Sequence, residues 1–253
     1  MSQGFFNRLG SCFGSCFGGN QYHELIDISS PVLVPPLSHH DLPTATVLEP
    51  AALSTRLESC KNKKIKIFPA YDLFPISKAR IPTPGTNQAL QAYYKMSVTF
   101  NDNFFFLQLL PAESSATCLF LPYHENICTY VQCQDQAAVV VSGKFSGCIF
   151  VKSADNNNRN AYFGHVYVNN NTKDNNPESQ MNSFCDITGI NRTDLRGFKT
   201  VGKIVNGGTC GYVFAIYTST WTYYWMECSL EDTIVSCRKI LPTEWEELSE
   251  QMK

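Results

Sequence analysis

The sequence predicts an α+β protein: a mostly antiparallel, sandwich-like β-sheet assembly with a few flanking helices, preceded by a disordered leader. Two observations predict the sheets. Past residue 94 the chain alternates short β-branched or aromatic runs with clusters of Asn, Gly, Ser and Pro, the residues that turn a chain. Sustained helical periods are few in the same stretch. A third observation predicts the leader: nine of the thirteen prolines lie before residue 86, where no period is sustained. At 253 residues and 43% hydrophobic content, the chain can bury one sizeable domain plus an appendage.

Residues 1–85 form this Pro- and Ser-rich leader, which would serve secretion or targeting, and residues 86–253 the folded domain. Within the leader only Ala51–Leu57 reads as helix and Lys64–Phe68 as strand. The repeat Ser11–Gly19 sets Cys12 and Cys16 beside phenylalanines, which makes both candidates for lipid anchoring by S-palmitoylation. Ser2 after the initiator excludes N-myristoylation. Order begins at Thr86, a cap for a helix through Tyr94 with Ala89, Leu90, Ala92 and Tyr93 as its apolar stripe. Strands follow at Lys95–Phe100, Phe104–Leu110, Thr117–Leu121, Cys128–Gln132 and Ala137–Val141. A hairpin comes next, with arms Ile149–Lys152 and Ala161–Val168, then an Asn-rich loop over Asn169–Glu178. Further strands are predicted at Lys199–Val205, Cys210–Ser219, Thr222–Ser229 and Thr233–Ile240. Pro242 opens a terminal helix, Thr243–Met252, whose acidic first turns suit the helix dipole.

Composition removes several function classes. A net charge of −2 from 20 basic and 22 acidic residues offers no nucleic-acid surface. No apolar run reaches the ~20 residues of a transmembrane helix. Eleven cysteines, an odd number at irregular spacing and without a secretory signal, point to free thiols in a reducing compartment. The absence of any Cys-x-x-Cys pair argues against zinc, and the chemistry below needs no metal or organic cofactor.

That chemistry centres on Ser142-Gly143-Lys144-Phe145-Ser146-Gly147-Cys148 and on His165, seventeen positions after the cysteine. If the intervening hairpin turns about Asn156 and Asn157, Cys148 falls directly opposite His165 on one face of the sheet. A register slip of one residue would part them. An imidazole beside a thiol activates a cysteine nucleophile and lowers its pKa. Gly147 permits a sharp turn, so Ser146 and Gly147 mark the turn that would aim backbone N–H groups at a substrate oxyanion. Ser142 is the candidate third member, orienting His165 through its hydroxyl or its carbonyl. His124 is a candidate for the rim, and spacing does not select Asp186 or Asp194 as orienting groups. Trp221, Tyr223, Tyr224 and Trp225 read as sheet core.

Phe145-Ser146-Gly147-Cys148 with a histidine on the return strand resembles the Leu-Ser-Gly-Cys signature of a toxin superfamily of glutamine deamidases, that of cytotoxic necrotizing factor and Burkholderia lethal factor. Ser142 matches a threonine six positions before the cysteine in that family. Cys118-Leu119-Phe120-Leu121-Pro122-Tyr123 is similar to an apolar run ending in Leu-Pro-aromatic, and Asn87–Phe100 to an opening helix and strand. The resemblance spans residues 86 to 168. Phe145 for leucine, Ser142 for threonine and a longer hairpin are departures.

The resemblance implies a bacterial toxin or effector, delivered into the host cytoplasm, that converts a host protein's glutamine to glutamate through a Cys148–His165 thioester mechanism. The partner would be a protein with an exposed functional glutamine, of the small-GTPase or translation-factor type. A transglutaminase, an unrelated cysteine protease and a non-catalytic β-rich interaction module are the alternatives.

Overall fold

The apolar runs build two sheets that face each other. The computed structural model describes residues 46–68, 88–100, 104–110, 117–133, 137–168, 176–200, 209–229 and 231–248. Among them the order is β1 (Thr46–Val47), helix α1 (Pro50–Leu57), β2 (Lys64–Phe68), β3 (Gln88–Gln91), β4 (Tyr94–Phe100), β5 (Phe104–Leu109), β6 (Cys118–Leu121) and β7 (Ile127–Gln132). Then come β8 (Val139–Phe145), β9 (Ile149–Ser153), β10 (Tyr162–Val166), helix α2 (Pro177–Thr188), β11 (Leu195–Lys199), β12 (Thr209–Tyr217), β13 (Trp221–Ser229), β14 (Ile234–Lys239) and β15 (Glu246–Glu247). The larger sheet runs β14-β13-β12-β8-β6-β4-β5-β2 with β1 beside β4, and the smaller β15-β11-β9-β10-β7-β3. Three neighbouring pairs are parallel: β2 with β5, β6 with β8 and β3 with β7. The remainder are antiparallel.

Period-2 alternation sorts the side chains into three cores. Between the sheets lie Leu121, Val140, Phe145, Val213 and Trp225 from the larger, and Cys148, Phe150, Phe163 and Phe198 from the smaller. On the larger sheet's other face, Leu53 and Leu57 of α1 pack on Phe105, Phe120, Tyr212 and Met226. On the smaller sheet's other face, Met181 and Phe184 of α2 cover Tyr130, Val151 and Val166. The layers are therefore helix, sheet, sheet, helix. The two ends of the larger sheet also meet: Lys64 bridges Thr233, and Asn62 N–H donates to Ile234 O at 2.8 Å. The sheet thus curls around the core that holds α1.

Two expectations of helix are corrected. The helix predicted from Thr86 is instead strand β3, paired in parallel with β7. Ala89 joins the α2 core while Leu90 packs against the α1 core, so a strand buried on both faces imitates a helical stripe. The predicted terminal helix is a 3-10 turn at Pro242–Glu244 followed by β15. Trp245 packs into the inter-sheet core and Leu248 into the α2 core, which one face of a helix could not serve. Of the strand expected at Lys199–Val205, Lys199 closes β11, Thr200 is not in a strand, and residues 201–205 lie outside the described residues.

The boundary at residue 86 also moves. Residues 46–68, assigned to the leader, supply β1, α1 and β2, and Leu53, Leu57, Cys60 and Ile65 are buried. Residues 1–45, with Cys12 and Cys16, lie outside the described residues, as do 69–87. Helix α2 was not predicted at all. Pro177 starts it, Asn176 caps it by accepting the Ser179 N–H at 3.0 Å, and Gly189 at φ 71° ends it. Its buried Gln180 exchanges two 3.1 Å hydrogen bonds with the Tyr167 backbone, pinning the chain just beyond β10.

Candidate active site

The hairpin β9–β10 carries His165, and its register differs from the expected one. His165 pairs with Phe150 and Val166 with Ile149, so the hairpin turns about Asn157 and Asn158, one residue later than predicted. The loop's own side chains set this centre. Asp155 Oδ1 accepts the Asn157 N–H at 2.8 Å, and Asn158 Oδ1 accepts the Asn160 N–H at 2.9 Å. Lys152, buried over the Tyr223 and Trp245 rings, donates to Asn156 Oδ1 at 2.7 Å. The displacement amounts to two residues in the pairing, which preserves parity. Cys148, one residue before β9, therefore faces the inter-sheet core as His165 does. The two stand on a diagonal, with backbones roughly 7–8 Å apart by sheet geometry.

Ser142 reaches His165 from the facing sheet. Its Oγ donates to Leu121 O at 2.8 Å and lies 3.0 Å from His165 Nδ1. A serine hydroxyl has one proton. With that proton committed to Leu121 O, Ser142 accepts from Nδ1–H, and the tautomer leaves Nε2 as a free base. Among the described residues Nε2 has no hydrogen-bond partner, although it is fully buried. Leu121 is itself held in place, because Thr129, opposite His165 on β7, donates its hydroxyl to Pro122 O. The Leu-Pro-Tyr stretch singled out in the sequence thus lines the histidine, with the Tyr123 ring 6.0 Å from the imidazole.

Between Ser142 and Cys148 the chain bulges. Gly143 pairs with Tyr212 and Phe145 with Gly211, leaving Lys144 as the extra residue of a β-bulge. A Cβ at Gly143 would lie 2.9 Å from Gly211 O and overlap the Tyr212 ring, so only glycine fits. The bulge swings Phe145 inward, where its ring stacks on His165 at 4.0 Å between centroids and 13° between planes. Beyond it, Ser146 is exposed and Gly147 turns at φ +136° with open space where a side chain would be. Thr200 clamps the turn: its Oγ1 accepts the Gly147 N–H at 3.3 Å and donates to Cys148 O at 2.6 Å. The Gly147 donor expected for an oxyanion is thus engaged by Thr200. Gly147→Ala is expected to cost about 1–2 kcal/mol, through the backbone conformation and not through crowding. Urea denaturation would measure it, and Thr200→Val should lower stability by a similar amount.

Burial controls the charges. Closure from water pushes the Cys148 thiol up to about 11, opposed by the adjacent Val168 backbone N–H. The same closure pulls His165 down to about 3. The thiolate–imidazolium pair expected from the sequence is therefore replaced by a neutral thiol and a neutral imidazole in the resting state. A stability consequence follows. The unfolded chain binds a proton on His165 below about pH 6.5 whereas the folded chain does not, so stability is complete above that pH and falls toward pH 3. By pH 4.5 the loss should reach roughly 3 kcal/mol, and His165→Gln should remove this part of the pH slope in urea titrations.

Phe145 as a stacking partner, Thr129 and Thr200 were not recognised as site residues, because their roles depend on strands far away in sequence. His124 Nδ1 lies 3.0 Å from Glu125 O. Asp186 and Asp194 are exposed, on α2 and in the turn before β11, across the smaller sheet from the imidazole. Trp221, Tyr223, Tyr224 and Trp225 are buried in the sheets. Among the described residues no cluster of three or more His, Cys, Asp or Glu is placed to hold a metal ion. No described helix is long and apolar enough to cross a membrane. No protein-family model and no curated protein sequence matches the chain.

Proposed function

We propose that this chain is a cysteine hydrolase that deamidates a glutamine side chain of a host protein, as the resemblance to the glutamine deamidase toxins implies. One observation carries the reading. Ser142 holds His165 in the tautomer whose Nε2 is an unpartnered base, on the same face as the Cys148 thiol. The Cys148 proton passes to Nε2 as sulfur attacks the carboxamide carbon, and His165 returns that proton to the departing ammonia. Water, deprotonated by His165, then attacks the thioester, leaving glutamate and restoring the thiol. Because thiol and imidazole rest neutral, proton transfer accompanies attack instead of preceding it. The stacked Phe145 ring stabilises the transient imidazolium, and the Val168 backbone N–H, which favours the Cys148 thiolate, is the candidate oxyanion donor. In this reading a bacterium delivers the protein into the host cytoplasm, and the target is of the small-GTPase or translation-factor type.

The test is mass spectrometry of host-cell proteins treated with the wild type or with Cys148→Ser. Glutamine-to-glutamate conversion with ammonia release, in the wild type alone, is the expected result. Added primary amine should not be incorporated, which separates hydrolysis from transglutamination. Ser142→Ala should lower the rate on the order of 10²-fold and Ser142→Thr should restore it, since only the hydroxyl matters. The burial of both side chains favours one other reading, a non-catalytic β-sandwich binding module in which Cys148 is packing. Under that reading Cys148 would alkylate no faster than the buried Cys128 or Cys118.

A further inference from the structure

We infer that Cys60 and Cys237 form an oxidation site, a reversible disulfide that ties the exit of α1 to strand β14 and locks the larger sheet closed. Cys60 follows α1 and is fully buried, with its thiol directed at Leu57 O at 3.0 Å. Cys237, on β14, is half-buried and packs against the same core. Contacts on both sides bracket the two residues. Lys239 Nζ meets Glu58 Oε1 at 3.3 Å on one side, and Lys64 bridges Thr233 on the other. Ile234 N–H also donates to Lys63 O at 2.7 Å. Between these ties Cys237 packs against the core that holds Cys60, and its side chain favours ionisation of Cys60 while Cys60 disfavours that of Cys237. A disulfide needs Cα atoms within about 7 Å, and the Lys63–Ile234 hydrogen bond holds the two backbones together three residues from each cysteine.

The oxidant is a small-molecule disulfide. Cys237 is the more accessible thiol: its small thiolate fraction, the proton given to solvent, attacks one oxidant sulfur and expels the other as a thiolate that takes up a proton, and Cys60, the thiol whose ionisation is favoured, is left to resolve the mixed disulfide. Cys60 then loses its proton and attacks the Cys237 sulfur of the mixed disulfide, releasing the second small thiol. Two electrons pass from the protein to the oxidant, and the protein becomes two hydrogen atoms lighter. The closed loop joins positions 60 and 237 and so restrains most of the chain in the unfolded state. Reduction in a thiol-rich compartment would reverse it.

The experiment treats the purified full chain with 2-hydroxyethyl disulfide, caps the remaining thiols by alkylation and maps the peptides. A Cys60–Cys237 cross-linked peptide is expected, with a melting temperature about 10 °C higher that dithiothreitol reverses. Cys237→Ser and Cys60→Ala should each abolish both effects. Cys237→Ser is the variant least able to disturb folding, because its side chain is partly exposed. A bond from either residue to the neighbouring Cys228, a mixed disulfide that is never resolved, or a cross-link without a thermal shift would overturn the inference.

Discussion

Cys148→Ser is expected to reduce glutamine deamidation by on the order of 10⁴-fold or more while leaving the melting curve nearly unchanged. Serine replaces cysteine with little change in volume in a site 6% exposed, so packing of Phe145 and Phe150 should survive. The chemistry should not, because a hydroxyl beside a neutral imidazole is a far weaker nucleophile than a thiol. His165→Gln should be nearly as damaging, and the double variant no worse than either single one, since nucleophile and base act as a unit. Measured rates of ammonia release for the four proteins decide this. Equal rates for wild type and Cys148→Ser would remove the catalytic reading, and additive losses would mean that the two residues do not cooperate.

A chain beginning at Thr86 is expected to lose its fold, whereas one beginning near residue 46 should keep it. The longer truncation removes α1 and β2, and with them Leu53, Leu57, Cys60 and Ile65 from a core that also holds Phe105, Phe120 and Met226. Deleting one buried leucine costs about 2–5 kcal/mol, and a whole domain is stable by only about 5–15 kcal/mol. Losing four such side chains, the β2–β5 ladder and the Lys64–Thr233 closure together should exceed that margin. Circular dichroism and urea denaturation of the two truncations test it. Limited proteolysis of the full chain should leave residues 46–68 protected. A cooperative transition from the chain starting at Thr86 would show that α1 and β2 are accessory to the fold.

Much of the sheet framework was legible because alternation and turn chemistry are local. Strands β4 to β7, β9, β10 and β12 to β14 lie within a few residues of their predicted spans, since β-branched and aromatic runs bounded by Asn, Gly and Pro leave few alternatives. Where two cores compete for one short segment the local pattern misleads. Ala89 and Leu90 read as a helical stripe because they point to different cores, and Pro242 with the acidic residues after it read as a helix start although Trp245 and Leu248 serve two cores. The α2 helix escaped notice because its buried face is only Gln180, Met181 and Phe184, too sparse a stripe to outweigh its polar surroundings.

By itself the sequence determined the β-rich α+β class and the turn at Gly147. It also placed Cys148 and His165 at the two ends of one hairpin. Only the tertiary structure decided the register of that hairpin, the hydrogen bond from His165 to Ser142 and the membership of residues 46–68 in the core. The physical reason lies in the range of the interactions. Propensity and turn geometry act over a few residues, whereas burial, the bulge that stacks Phe145 on the imidazole and the neutral charge state depend on strands brought together from distant parts of the chain.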